Sequence, residues 1–156
     1  MGMTSMQSSV ACVVFGALLT CSSPGFAADT HVIGTRGIAW TYKDKKSTPA
    51  APILIDDLKI GDVVEVQIAG AIPHGIVTIK RNDGAPPVED RDPVQACGED
   101  KSNAALREIN CGAASKFGVA FTGSLRLEVT DKFKNPVDFF CVIHKAGMPG
   151  VFKLAP

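Results

Sequence analysis

The chain has 156 residues, 21% of them charged and 46% hydrophobic, and its formal net charge is zero. That balance excludes a basic nucleic-acid-binding protein, and no apolar run reaches the roughly 20 residues that a membrane-spanning helix needs. A chain of this length can bury a core of its own, so a monomer is expected.

In chain order, the first segment reads as a leader. Val10 to Leu19 form a short apolar run, and Pro24-Gly-Phe-Ala27 supplies small residues suited to signal-peptidase cleavage after Ala27. Residues 1–27 are therefore expected to be a signal peptide and residues 28–156 a single exported, periplasmic domain. No Lys or Arg precedes the apolar run, which is atypical. Leu18-Leu-Thr-Cys21 only loosely resembles a lipobox, since Thr20 is a poor residue before a lipid-modified Cys.

The remainder reads as short strands separated by Gly, Pro and Asp. In Gly61 to Ile68, Val64, Val66 and Ile68 alternate with Glu65 and Gln67. In Ser124 to Val129, Leu125, Leu127 and Val129 alternate with Arg126 and Glu128. Further strands are expected at Gly37–Tyr42, Pro52–Ile55, Gly75–Lys80, Val137–Val142 and Gly150–Leu154. Many short strands with turn signals between them predict an all-β sandwich or barrel. Asn82 to Ser115, rich in Pro, Gly and Asp, breaks the rhythm and predicts an ordered insertion. Within it, Asn103 could cap a short helix reaching Ile109.

Cysteine usage is informative. Cys12 and Cys21 leave with the leader, and Cys97 and Cys111 flank a polar loop of 13 residues. In an oxidising compartment those two should pair, leaving Cys141 as the unpaired thiol. Cys141-Val-Ile-His144-Lys-Ala-Gly-Met148 then places a thiolate, an imidazole and a thioether in one tight loop, and Met148 is the only methionine after Met6. Two His and one Cys with a weak Met suit a single copper ion in both oxidation states. The second imidazole is His74, in Ala71-Ile-Pro-His74-Gly, far upstream and brought close by the fold. Taken singly, each of these residues reads more simply as core or loop.

The pattern Phe-Phe-Cys141-x-x-His144-x-x-x-Met148-Pro-Gly, with Pro73-His74 upstream, resembles the cupredoxin (type 1 blue copper) family. The resemblance spans about Gly61 to Leu154 and is specific at the loop. It implies a Greek-key β-sandwich with one copper at one end. His74, Cys141 and His144 would be strong equatorial ligands and Met148 a weak axial one. It further implies one-electron transfer between a donor and an acceptor, a c-type cytochrome being the generic partner, by weak contacts through an apolar patch. Here that patch would comprise Ala71, Ile72, Pro73, Ala146 and Pro149 beside Met148. The residue after the upstream His is commonly Asn and is Gly75 here, and the loop spacing is intermediate, so no subfamily is assigned.

His31, the third imidazole, is expected as a plain surface or strand residue; an amino-terminal copper chelate would need Asp29 to come first. Catalysis is not expected, because a catalytic copper would need further His ligands. The rival to electron transfer is a periplasmic carrier or chaperone of one copper ion, although the Met- and His-rich tracts common in such proteins are missing.

Overall fold

The computed structural model of the chain describes residues 27–134 and 136–156; apart from Ala27, the expected leader, with Cys12 and Cys21, lies outside them. Twelve strands follow in order: β1 (Thr30–Thr35), β2 (Trp40–Tyr42), β3 (Lys45–Lys46), β4 (Ile53–Leu58), β5 (Val63–Ile68), β6 (Ile76–Lys80), β7 (Val88–Glu89), β8 (Val94–Gln95), β9 (Leu106–Glu108), β10 (Gly123–Val129), β11 (Val137–Cys141) and β12 (Lys145–Leu154). They form a seven-stranded sheet, β3-β2-β1-β5-β10-β9-β8, and a five-stranded sheet, β4-β12-β11-β6-β7. Both sheets are mixed: β1 runs parallel to β5, β4 to β12 and β8 to β9, while the other pairs are antiparallel. The expected all-β sandwich is what forms. Among the described residues no helix is long and apolar enough to cross a membrane.

The alternation read from the sequence sets the inward faces. Val64, Val66 and Ile68 of β5 and Leu125, Leu127 and Val129 of β10 are all buried, and each strand turns its charged residues outward. Trp40, Phe139 and Phe152 fill the space between the sheets. Phe139 stacks on Phe152 at 4.3 Å between ring centres and meets Trp40 edge-on at 6.0 Å. Each such fully buried side chain contributes about 1.5–3 kcal/mol relative to exposure. Gly150, inside β12, is glycine for space: a Cβ there would fall 2.0 Å from the Phe139 ring.

The insertion differs from its reading. Instead of a helix at Asn103–Ile109, Leu106–Glu108 is strand β9, paired with both β10 and β8. Leu106 and Glu108 are buried and Arg107 is exposed, a period of two that only a strand satisfies. The insertion thus extends both sheets, through β7 on one side and β8 and β9 on the other. The Cys97–Cys111 disulfide is present, tying the segment just after β8 to the segment just after β9.

One buried polar cluster fastens the N-terminal strand. His31 of β1 is 7% exposed. Its Nδ1 lies 2.8 Å from Tyr42 Oη and its Nε2 2.8 Å from Asp62 Oδ2. The Tyr42 hydroxyl donates to Asp57 at 2.7 Å, and Asp62 also accepts from the backbone N–H groups of Asp29 and Lys59. Burial alone would raise the Asp62 pKa, but the bonds from His31 and those two amides outweigh it and hold it below the usual carboxylate range.

Candidate metal centre

Three neighbouring strands of the five-stranded sheet end at the same place. β11 finishes at Cys141, which lies opposite Ile76 at the start of β6. His74 sits just before β6 in an isolated bridge with Phe121: Phe121 N–H donates to His74 O at 2.7 Å, and His74 N–H to Phe121 O at 3.2 Å. His144 lies in the turn from β11 to β12. That turn is closed by Gly147 N–H donating to His144 O at 2.8 Å. Lys145, next to it, has φ 45°, a left-handed conformation uncommon for a non-glycine residue. Its ammonium is held by Glu89 at 2.7 Å and lies 5.3 Å from the Phe140 ring centre.

This folding brings His74, Cys141 and His144 together across 67 residues, their ligand atoms all within 4.8 Å of one another. Cys141 Sγ is 3.7 Å from His74 Nδ1 and 3.5 Å from His144 Nδ1. The two imidazole centres are 5.0 Å apart. Cys141 is fully buried and is the free cysteine of the described residues, His74 is 2% exposed, and His144 is half-buried. Met148 is also fully buried, in β12. Burial, and then the nearby His144 ring, hold the His74 pKa below the ordinary histidine value. Its imidazole is therefore kept neutral, with a lone pair to offer.

The spacing fits one shared ion. A first-row metal about 2.0 Å from nitrogen and about 2.3 Å from sulfur, at angles between tetrahedral and trigonal, places N and S about 3.5–3.7 Å apart. The two N···S distances here, 3.5 and 3.7 Å, are close to that. The donors are two imidazoles and a thiol, a set suited to copper or zinc.

Gly75, where the family that the sequence resembles commonly has Asn, has a physical explanation. A Cβ at 75 would lie 2.0 Å from Val119 O and 2.7 Å from Val142 Cγ2, so the 117–121 segment occupies the space a side chain would need. Main-chain bonds brace the loop: Val142 N–H donates to Gly75 O at 3.0 Å, and Gly118 N–H to Ile76 O at 2.9 Å. Trp40, assigned no role in the sequence reading, lies beneath, its ring 6.2 Å from that of His74. Its being the chain's single tryptophan was the only signal available.

Around the mouth, Ala71, Ile72, Pro73 and Ala146 are exposed, but Pro149 is buried in β12 and lines no surface. It faces Phe140 across the ladder, where the register shifts. Two apolar residues outside the expected patch are exposed instead: Ile143, before His144, and Val119, packed over Gly75. His31 lies elsewhere on β1, both its ring nitrogens engaged by Tyr42 and Asp62.

Among solved structures, the fold is similar to an amicyanin from Paracoccus versutus, with TM-score 0.39 and 17% identity over 83% of this chain and 85% of that one. It is similar also to the oxidised plastocyanin of Dryopteris crassirhizoma, with TM-score 0.40 and 21% identity over 80% and 98% of the two chains. Dithionite-reduced auracyanin from Roseiflexus castenholzii gives TM-score 0.43 and 18% identity over 84% and 100%. No protein-family model and no curated protein matches the chain.

Proposed function

We propose that this protein is an exported, periplasmic blue copper protein that carries single electrons between redox partners. His74, Cys141 and His144 would hold one copper ion, with Met148 as the weak axial ligand. The observation that carries this is the His–Cys–His trio, two of its members buried and His144 half-buried, closed by a hairpin that also contains Met148. Bound there, copper would supply one-electron chemistry between its Cu(I) and Cu(II) states.

The side chains divide the work. Cys141, wholly shielded from water, would bind as thiolate. His74 is held rigidly by its bridge to Phe121 and kept neutral by burial. His144 is half-buried and would form the route to the surface, with the exposed Ile143 next to it in sequence, Ile72 two residues before His74, and Val119 against Gly75. Such a small apolar rim suits a contact of under about 1,200 Å², weak and quickly released. The partners would be a donor and an acceptor protein, a c-type cytochrome among the candidates, met by a monomer. Catalysis is not part of this reading, since the one remaining imidazole, His31, is taken up by its own hydrogen bonds. Nor does a carrier that hands copper on fit well, because both Cys141 and His74 are closed to an acceptor.

The test is the visible and electron paramagnetic resonance spectrum of the copper-loaded protein, with a potentiometric titration. Intense thiolate-to-copper charge transfer and reversible one-electron reduction are expected, and Cys141→Ser should abolish the band. A colourless protein that transfers its copper to a chelating acceptor would refute electron carriage in favour of copper delivery. The mass of the exported form tests cleavage after Ala27.

A further inference from the structure

Trp40 is rooted in one sheet and reaches the ligands in the other. Its backbone is fixed twice to Ser47: Trp40 N–H donates to Ser47 Oγ at 2.9 Å, and Ser47 N–H donates to Trp40 O at 2.9 Å. Its ring is fully buried, set against Phe139 and 6.2 Å from the ring of His74. The indole Nε1–H donates to the carbonyl oxygen of Met148 at 2.8 Å, across 108 residues of sequence.

That bond falls where the register of β12 is irregular. β12 pairs with β11 at Lys145 and again from Pro149, and the register shift between those points skips Ala146, Gly147 and Met148. Pairing with β4 begins only at Gly150. Pro149 has no N–H to lend. Met148 thus sits at the irregular stretch of β12, and Trp40 reaches across the core to its carbonyl.

We propose that Trp40 is a positioning residue for the metal centre. By fixing the Met148 carbonyl it fixes where the thioether stands relative to the His74–Cys141–His144 trio, and so the strength of the axial interaction. The inference rests on the copper reading above. It concerns a hydrogen-bond donor rather than bulk: Phe at position 40 would keep a flat apolar ring and lose the N–H.

The experiment compares copper-loaded wild type, Trp40→Phe, Met148→Leu and the double variant. Expected in the Met148 background is a shift of the charge-transfer maximum and of the copper hyperfine splitting, with copper release to a chelator about 10-fold faster. In the Met148→Leu background the same substitution should leave the spectrum in place and change release by less than about 2-fold, because leucine offers copper no donor atom for Trp40 to position. Equal changes in both backgrounds, or none in the first, overturn the proposal. If Trp40→Phe fails to fold, the sulfur analogue of tryptophan takes its place. It keeps the ring and drops the N–H, and because Trp40 is the only tryptophan, global replacement alters this position alone. The same outcomes decide. A wild-type protein with no charge-transfer band would remove the copper reading itself, whereas a blue wild type with an unresponsive position 40 removes only this inference.

Discussion

Adding one methyl group at residue 75 should be among the most damaging small changes in the molecule. Gly75 has no unusual φ to protect, so the issue is space alone. An ideal Cβ would lie 2.0 Å from Val119 O and 2.7 Å from Val119 C, whereas carbon–oxygen contacts settle at about 3.3–3.6 Å. In Gly75→Ala one of the two segments must therefore retreat by more than about 1 Å. Overpacking of this kind costs about 1–3 kcal/mol. The retreat also stretches the paired bonds between His74 and Phe121 and the bond from Val142 N–H to Gly75 O, each with a net contribution of about 1 kcal/mol. The expected loss is about 3–5 kcal/mol. With a urea slope of about 2 kcal/mol/M, the unfolding midpoint of the copper-free protein should fall by about 1.5–2.5 M. Urea titration followed by tryptophan fluorescence and far-ultraviolet circular dichroism measures it. A fall of less than about 0.3 M would show that the Val119 segment yields freely, and the account of Gly75 would be wrong.

Met148→Gln should retain copper but lower the reduction potential, since an amide oxygen favours Cu(II) more than a thioether does; potentiometry showing no change would remove Met148 from the ligand set. The copper-free protein should lose stability on mild acidification. His74 is held below its ordinary pKa when folded and returns to about 6.5 when unfolded, so protons favour the unfolded chain. The stability is full above about pH 6.5 and is lost as pH falls toward the folded value, and His74→Gln should flatten the profile of urea midpoint between about pH 6.5 and 5. Reducing the Cys97–Cys111 bridge, whose ends are 14 residues apart, should destabilise the chain by about 3 kcal/mol, read as a lower midpoint in the presence of a reductant.

The sequence revealed most where the pattern was local. β5 and β10 were legible because their inward residues alternate cleanly and both faces differ in polarity. β9 was misread because Asn103, two alanines and Leu106 make a plausible capped helix. The partners that override it, β8 and β10, are distant in sequence or too short to recognise. β12 was shortened in the reading because Gly147, Pro149 and Gly150 signal a turn. In the fold the bulge beside Phe140 accommodates Pro149, and Gly150 yields space to Phe139. The four ligand candidates could be picked out by residue type and spacing. The reach of Trp40 to Met148, and the segment that forbids a side chain at 75, depend on contacts that no local pattern encodes.

The parallel pairing of β4 with β12 also dictates an order of events. Ile53 of β4 lies beside Gly150, so the contact spans most of the folded chain, and such long-range topology slows folding toward milliseconds to seconds. During synthesis, β12 emerges after every strand it pairs with. Until it arrives, β4 has no neighbour in its sheet, Phe139 lacks the ring that stacks on it, and the hairpin bearing three of the four ligand candidates does not exist. Nothing resembling the finished His74–Cys141–His144 cluster can assemble on a nascent polypeptide, so its three side chains come together only as the fold is completed.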